Sequence, residues 1–408
     1  MAYPVPMNEA GALVLGADYR SLGICRSLGR RGITAWVAVE FDDDLATHSK
    51  FVRRTVPWPG VFDTDQTEFL LHLAEDEGIK GWVLFPTGDK SADFVSRHHA
   101  DLEQAYRLTT PPHASYDAAQ DKRQVYARAQ ALGIAVPSTW YTDSVDEAAA
   151  LDLEYPVILK PATGAITNPI SDTKVWFVED RDAMLARYAE AAEVMHSGHV
   201  MIQEIIPGGG EHQLSYAAAC RKGDPVAFLT ARRTRQIPVD FGRASTFVET
   251  YDIPEIIEPS EQVIADLALE GLVEVEFKRD PRNGLVKLLD VNARAWGWHS
   301  IGAPAGVDFP YLAWLVAQGE PVEPAVGRPG VRWVRLTTDL PTSAKEIAGR
   351  RMKLGSYLRS LRPPLEGPIA AKDDPKPALM ELPVLVKRML GKPQMLRRLV
   401  GKKVGKAV

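Results

Sequence analysis

The first hundred residues alternate short apolar runs with stretches of helical spacing. Apolar runs at 12–16 and 32–39 predict buried strands, and the segment from Tyr19 to Arg31 between them repeats its apolar positions at helical intervals. A third strand is predicted at 81–85, after another helical stretch. Strands that alternate with helices are typical of a parallel, doubly wound sheet, so this part of the chain is predicted to be α/β.

The pattern changes after the proline pair Pro111-Pro112, which we interpret as a domain boundary. A helix is predicted at 118–132, and it is followed by apolar strands separated by polar loops, including strands at 156–161 and 200–206. Further strands at 214–219 and 227–233 continue what is predicted to be an antiparallel region. The chain therefore combines an α/β part with an α+β part.

The most informative pattern is a predicted β-hairpin late in the chain. The run 274–278 (Glu-Val-Glu-Phe-Lys) and the run 288–294 (Leu-Leu-Asp-Val-Asn-Ala-Arg) flank the turn-forming segment 280–284. Because side chains alternate between the faces of a strand, a symmetric hairpin places Glu276 opposite Asp290. The opposite face is predicted to be an apolar set suited to a core: Val275, Phe277, Leu289 and Val291.

Facing carboxylates repel each other, so such a pair favours a cation between them. Glu276, Asp290 and Asn292 offer only oxygen ligands, which suit Mg²⁺ better than Zn²⁺. Arg294 lies two residues further on, where it could hold an anion that the metal also contacts. The pattern thus indicates a Mg-nucleotide site, and the alternative interpretation is a hairpin whose polar face contacts only solvent.

Composition and charge narrow the class of protein. A chain of 408 residues is too long for one compact core, and its net charge of −5 gives no reason to expect nucleic-acid binding. Two cysteines, Cys25 and Cys220, cannot form a disulfide framework. Residues 1–11 lack the pattern of a secretory signal, and no run reaches the roughly 18 apolar residues of a membrane span. We therefore predict a cytoplasmic protein.

The end of the chain is strongly basic. Residues 384–408 contain eight Lys or Arg and no acidic residue, with apolar positions interspersed among the charges. This composition fits an amphipathic helix that contacts an anionic membrane surface, and it also fits a solvated tail. Both interpretations remain open.

Taken together and in this order, the motifs resemble the ATP-grasp superfamily of ATP-dependent carboxylate–amine ligases. The resemblance covers roughly residues 10–320 and is strongest to a branch with D-aspartate ligases and the large chain of carbamoyl-phosphate synthase. It implies an N-terminal doubly wound parallel sheet domain followed by a two-lobed ATP-grasp domain. The implied division is an N-terminal domain at 1–112, a small lobe at 113–200, a large lobe with the metal-binding hairpin at 201–325, and an extension with the basic tail at 326–408.

The resemblance also implies roles for individual residues. Those implied to bind ATP are Lys122, Lys160, Gln203, Glu204, Ile206 and Glu211. Glu276, Asp290 and Asn292 are implied to bind Mg²⁺, with Mn²⁺ as an alternative, although Asp290 stands where the family usually has Glu. Residues implied to act on the transferred phosphoryl group or the acceptor are Arg294, Arg235 and Lys174, and the loop 162–173 occupies the place of a phosphate-covering loop.

The implied reaction is phosphorylation of a carboxylate by ATP, followed by attack of an amine to give an amide, ADP and phosphate. The implied partners are therefore a small-molecule carboxylate and an amine, and a homodimer is expected by analogy. Asp89, at the end of the predicted strand 81–85, is a candidate for the substrate site. Two alternatives stay open at this point: a bicarbonate-dependent carboxylase of the biotin-carboxylase kind, and a nucleotide-binding regulatory or scaffold protein without catalysis.

Overall fold

The structure is a computed structural model that describes residues 10–40, 44–59, 66–162, 175–195, 200–239 and 244–390. Three sheets organise these residues: a five-stranded sheet, a four-stranded sheet and an eight-stranded sheet. The division into α/β and α+β parts predicted from the sequence is confirmed. No helix among the described residues is long and apolar enough to cross a bilayer.

The five-stranded sheet forms the N-terminal domain, and all of its strand pairs are parallel, in the order β3-β2-β1-β4-β5. Its elements are β1 (Ala12–Leu15), α1 (Tyr19–Gly29), β2 (Ala35–Val39), β3 (Val52–Pro57), α2 (Gln66–Asp76), β4 (Val83–Pro86), α3 (Asp89–Arg97), α4 (His99–Leu102) and β5 (Arg107–Leu108). The sequence pattern did not predict β3. This edge strand is mostly exposed and has a polar Arg-Arg-Thr centre, so it carries no apolar run.

The four-stranded sheet is antiparallel, in the order β6-β9-β7-β8, and we call this sheet with its helices the small lobe. It includes β9 and therefore extends beyond residue 200, where the sequence prediction ended this lobe. Its elements are α5 (His113–Gln120), α6 (Lys122–Ala131), β6 (Thr139–Tyr141), α7 (Val145–Ala149), β7 (Val157–Pro161), β8 (Trp176–Val178), α8 (Arg181–Met195) and β9 (Val200–Glu204). The single helix predicted at 118–132 is wrong. Asp121 adopts extended backbone and caps α6 by accepting a hydrogen bond from the Arg123 amide, so it separates α5 from α6.

The large lobe is built on the eight-stranded sheet, in the order β14-β13-β10-β11-β12-β16-β17 with β15 beside β11. Its elements are β10 (Gln213–Arg221), β11 (Asp224–Ile237), β12 (Ala244–Thr250), α9 (Ile257–Asp266), β13 (Gly271–Arg279), β14 (Val286–Asn292), α10 (Gly302–Ala305), α11 (Phe309–Ala317) and β15 (Ala325–Val326). The chain continues through β16 (Arg332–Val334), α12 (Leu336–Ala348), α13 (Leu354–Ser360), β17 (Leu365–Glu366) and α14 (Lys376–Leu390). The C-terminal extension thus adds two strands, β16 and β17, to this sheet.

The predicted hairpin is present as β13 and β14, with Glu276 directly opposite Asp290. A β-bulge follows, because Phe277 pairs with Leu288 rather than with Leu289. Leu288 is fully buried in the core, whereas Leu289 is only partly buried and lines a cleft. The prediction that Leu289 belongs to the core face is therefore wrong by one position, and the bulge is the cause.

One hydrophobic core joins the N-terminal domain to the large lobe. It contains α1 side chains such as Leu22, together with Trp296, Trp298 and Phe309 from the segment after β14. The fit is close at Gly23, where an added Cβ would lie 2.7 Å from Cε1 of the buried His299 ring. These contacts fix the carboxyl edge of the parallel sheet against the end of β14.

Candidate active site

The centre of the site is the pair of carboxylates on β13 and β14. Asp290 and Glu276 are each paired with a cation from a different part of the chain. Nζ of Lys122, at the start of α6, lies 2.6 Å from Oδ1 of Asp290. Arg233, on β11, forms an ion pair with Glu276 and donates from Nε to Oγ of Ser245 at 2.7 Å. Lys122 and Arg233 are both more than nine-tenths buried, so these charges interact largely shielded from water.

Asn292 links the pair to neighbouring polar groups. Its Nδ2 donates to Oε1 of Glu276 at 2.9 Å and to Oε2 of Glu274 at 3.3 Å, while its Oδ1 accepts from Nη2 of Arg294 at 3.3 Å. A half-turn of the amide would present its oxygen to the carboxylates instead. The sequence prediction that Glu276, Asp290 and Asn292 lie together is met by this geometry.

A further carboxylate, Glu274, lies deeper in the same face of β13 and is 3% exposed. It accepts hydrogen bonds from Oγ of Ser215 and from Nε1 of Trp298, both at 3.1 Å. Burial, reinforced by the neighbouring Glu276 charge, raises the pKa of Glu274 to about 7. The site therefore has three acidic side chains, and the buried Glu274 binds a proton more readily than an ordinary glutamate.

A cleft between the two lobes leads to these carboxylates. Lys160, at the end of β7, lines it together with Gln203 and Ile206, as predicted for a nucleotide site. Lys278 also faces this cleft, where its Nζ donates to the Ile206 carbonyl oxygen at 2.7 Å. Burial lowers the pKa of Lys278, against the opposing effect of Glu211 and other acidic neighbours.

Two of the acids predicted to contact the nucleotide are arranged differently from each other. Glu204 lines the cleft, but its carboxylate is already bound by Lys287, by Arg282 at 2.8 Å and by the Ser138 amide at 2.9 Å. Burial opposes ionisation of Glu204, and these donors outweigh it and hold its pKa below the usual value. The Glu211 side chain is 59% exposed and contacts the Gly209 amide at 3.2 Å, so it lies at the rim.

The remaining predicted residues fall into two groups. Arg235 is not brought to the carboxylates: its guanidinium forms two 2.8 Å hydrogen bonds with the buried Asp339 of α12 and lies over the Phe247 ring. On β11 it is Arg233 that reaches Glu276. Lys174 and the loop at 163–173 lie outside the described residues.

Arg294 joins the hairpin to the N-terminal domain. Its Nε donates to Oδ1 of Asp89, at the start of α3, so the substrate-site candidate from the sequence lies next to the metal-site candidate. Arg20, paired with Asp18, lies at the boundary between two cavities: one beside Glu274 and Arg294, and a larger one of about 400 Å³ at the carboxyl edge of the parallel sheet. The larger cavity is lined by Arg20 and by Asp89, the partner of Arg294.

Comparison with known proteins agrees with this geometry. The family model described as "ATP-grasp in the biosynthetic pathway with Ter operon" matches residues 215–338, which include the whole hairpin. The D-aspartate ligase of Enterococcus faecium is 23% identical over 316 residues, covering 72% of this chain and 73% of that protein. The chain resembles the ATP-grasp superfamily over these residues.

Solved structures share the ATP-grasp fold with this chain. The biotin carboxylase domain of the 2-oxoglutarate carboxylase from Hydrogenobacter thermophilus, in complex with MgADP, ADP and bicarbonate, superposes with a TM-score of 0.63 at 15% identity, over 78% of this chain and 73% of that one. The L-amino acid ligase of Bacillus licheniformis gives 0.56 at 16% identity, over 77% and 75%. At these identities the likeness establishes the fold alone.

The donor atoms of this site suit a hard divalent cation. Among the described residues no group of three or more His, Cys, Asp or Glu side chains could hold a metal. Asn292 offers an amide oxygen beside Glu276 and Asp290. In this arrangement Lys122 and Arg233 provide the positive charge that the two carboxylates require. An oxygen-only set with two carboxylates fits Mg²⁺.

Arg233, Lys278 and Glu274 are site residues that sequence reasoning did not assign. Glu274 and Lys278 share the face of Glu276 by simple alternation, so the signal for both was present in the strand pattern. Arg233 had no such signal, because a residue's neighbours on an adjacent strand depend on the register between β11, β10 and β13. The register between these strands decides which of two nearby arginines faces the acids.

Proposed function

We propose that the protein phosphorylates a substrate carboxylate with ATP and joins the resulting acyl phosphate to an amine, releasing ADP and phosphate. The observation that carries this proposal is the pair Glu276 and Asp290, facing each other at the bottom of the interlobe cleft between cations from α6 and β11. ATP-dependent ligases among the relatives support the enzyme class.

The cleft supplies the groups that a nucleotide needs. We assign the polar edge of the base to the segment around Gln203 and Ile206, and the phosphates to the buried ends of Lys122 and Lys160. Lysine ammonium groups act as point charges on phosphate oxygens, and both side chains are held at element ends, where they converge. Glu211, at the rim, is positioned to accept hydrogen bonds from ribose hydroxyl groups.

Glu276, Asp290 and Asn292 would hold Mg²⁺, or Mn²⁺ in its place. When bound, the ion would neutralise charge on the nucleotide phosphates and shield Glu276 from Asp290. The solved relative with MgADP bound supports this choice of cofactor. Phosphoryl transfer depends mainly on positioning and on charge stabilisation, so no nucleophilic side chain is required of this chain.

The chain's own residues arrange the reacting groups. A carboxylate oxygen of the substrate attacks the γ-phosphorus and ADP departs; an amine nitrogen then attacks the acyl carbon, and phosphate departs as the amine loses a proton. We assign the stabilisation of these oxyanions to Arg294, whose positive charge is held by Asp89 and Asn292. We assign the acceptor substrate to the cavity on the N-terminal side, next to Arg20.

ATP turnover with defined acceptors tests the proposal. The purified chain is incubated with MgATP and pools of amino acids, ADP is measured, and new products are found by mass. Glu276→Gln and Asp290→Asn should each remove nearly all ADP release. Glu249→Gln, which alters a carboxylate of the same sheet that pairs with Arg332, should keep it.

Three results would contradict the proposal. One is ADP release that persists in both metal-site variants. Another is release that depends on bicarbonate rather than on an amine, which would indicate a carboxylase. The third is nucleotide binding with no turnover on any acceptor pool, which would indicate a regulatory role. A homodimer and a cytoplasmic location stay predictions.

A further inference from the structure

The C-terminal extension carries a charge opposite to that of the rest of the protein. Residues 326–408 contain nineteen Lys or Arg and six Asp or Glu, whereas the whole chain has a net charge of −5. The remaining 325 residues are therefore strongly acidic. A separation of this size favours an anionic partner for one end of the molecule only.

We propose that the C-terminal extension docks on an anionic lipid membrane surface, with an apolar stripe on α14 as the contact. This stripe consists of Leu379, Leu382 and Val386, which we call the outer stripe. Their side chains are 75%, 70% and 46% exposed. Three large aliphatic groups on the outward face of one helix are unusual for a surface that meets only water.

The outer stripe is presented by a helix that is firmly attached on its other side. The inner face of α14 places Pro377 and Val384 against the protein, and the helix packs on the turn at 45–48 of the N-terminal domain. Since the inner face is occupied, the outer stripe cannot reach the core by rotating the helix. It remains available to a partner.

Buried ionic contacts fix the segment that leads into α14. Asp374, only 2% exposed, accepts from Nε of Arg26 at 2.9 Å and from Oγ of Ser49 at 2.6 Å. Arg26 also donates to the carbonyl oxygens of Pro368 and Ile369, at 3.1 and 2.9 Å. The position of the outer stripe is therefore set by the folded N-terminal domain.

Charge decides between a membrane and a second copy of the chain. Two copies that met through their outer stripes would bring two strongly basic extensions together, and like charges oppose this contact. An anionic bilayer offers phosphate groups to the lysines and arginines, and an apolar boundary to the aliphatic side chains. A nucleic acid would satisfy the charges but would leave the stripe in water. Of these three partners, the bilayer surface matches both features.

Vesicle flotation of the full chain tests the proposal. Vesicles of phosphatidylcholine with about one third phosphatidylglycerol are compared with pure phosphatidylcholine, both at low and at high salt. The wild-type chain should float with the anionic vesicles only, and less at high salt. The triple variant Leu379→Ser/Leu382→Ser/Val386→Ser should bind about tenfold more weakly, since it loses the apolar part of the contact.

The matched control alters apolar residues elsewhere in the extension. Leu336 and Leu340, on α12, are 52% and 56% exposed, and their replacement by serine should leave flotation unchanged. Unchanged ATP turnover in both variants shows that the chain is folded. If turnover is not detected even in the wild type, the near-ultraviolet circular dichroism spectrum serves instead, so this test does not depend on the catalytic proposal.

A second measurement reports the contact itself. The Leu382→Trp variant of the full chain has one tryptophan more than the wild type, so the difference between their emission spectra reports on position 382. This difference emission should shift to shorter wavelength on anionic vesicles and not on neutral ones. The proposal is overturned if the wild-type chain does not float, or if the triple variant floats as well as the wild type. It is also overturned if sedimentation shows that the wild type is a dimer and the triple variant a monomer, while both float equally.

Discussion

Replacing Arg233 should show how much its positive charge contributes to stability and catalysis, apart from the packing of its side chain. Replacing it by methionine keeps most of the buried volume but removes the cation that faces Glu276. Glu276 and Glu274 are then left as neighbouring acids with reduced compensation. We expect Arg233→Met to destabilise the nucleotide-free protein and to impair catalysis.

The size of the effect follows from burial. Removing one partner of a buried ion pair costs about 3–5 kcal/mol, because the other charge is left uncompensated. The Arg233 side chain is 8% exposed and that of Glu276 is 20% exposed, so water relieves part of the cost. We therefore expect about 3 kcal/mol, at the lower end of this range, and about a hundredfold loss of kcat if the guanidinium also stabilises charge during transfer.

The assay is unfolding in urea without nucleotide, monitored by tryptophan fluorescence, because Trp296 and Trp298 are buried beside the site. A double-mutant cycle with Glu276→Gln isolates the pair. Removing the acid should recover at least about 1 kcal/mol of the loss caused by Arg233→Met. The control is Arg232→Met on the same strand, where the guanidinium lies 3.5 Å from the centre of the Tyr251 ring; it should cost about 1 kcal/mol or less.

Two results would refute this reasoning. If the changes at Arg233 and Glu276 add within about 0.5 kcal/mol, the two side chains are not coupled. If Arg232→Met costs as much as Arg233→Met, the loss reflects general damage to β11 and says nothing about the acids.

Other regions give further expectations. Lys278→Met leaves the Ile206 carbonyl oxygen without its donor and should raise the KM for ATP several-fold with little change in kcat, and an unchanged KM would contradict a role in the cleft. Asp89→Asn loosens Arg294 and should lower kcat/KM for the carboxylate about tenfold while ATP binding is kept, as a titration with nucleotide would show. Burial raises the pKa of Glu366 from 4.5 to about 7, so its contribution to the stability of the folded state is fully present below pH 4.5 and is lost as the pH rises from 4.5 to about 7. Melting temperatures across that range should fall less for Glu366→Gln than for the wild type, and equal slopes would show that Glu366 is not responsible.

The sequence predicted those parts of the site that depend on local pattern. Alternation along two strands and a turn between them were enough to place Glu276 opposite Asp290. The same rule placed Leu289 on the wrong face, because a bulge inserts one residue without any mark in the apolar pattern. Local periodicity therefore predicted the positions of Glu276 and Asp290 correctly, but it predicted the wrong face for Leu289, the residue next to Asp290 on the same strand.

Other features depend on contacts between distant segments, and such contacts cannot be predicted from the pattern of a single sequence. Arg235 and Arg233 differ by two positions and have the same side chain, yet one binds Asp339 from the C-terminal extension and the other binds Glu276. The edge strand β3 is held mainly by its pairing with β2, so its own residues carry little signal.

The contact between Gly23 and His299 has a practical consequence for anyone who wishes to exchange acceptor specificity between relatives. The N-terminal domain cannot be exchanged by itself for that of a relative with a larger residue at position 23, because a side chain there would collide with the His299 imidazole. The segment after β14 would have to be exchanged together with it. Chimeras that move α1 and residues 296–299 as a pair should fold, and those that cut between them should not.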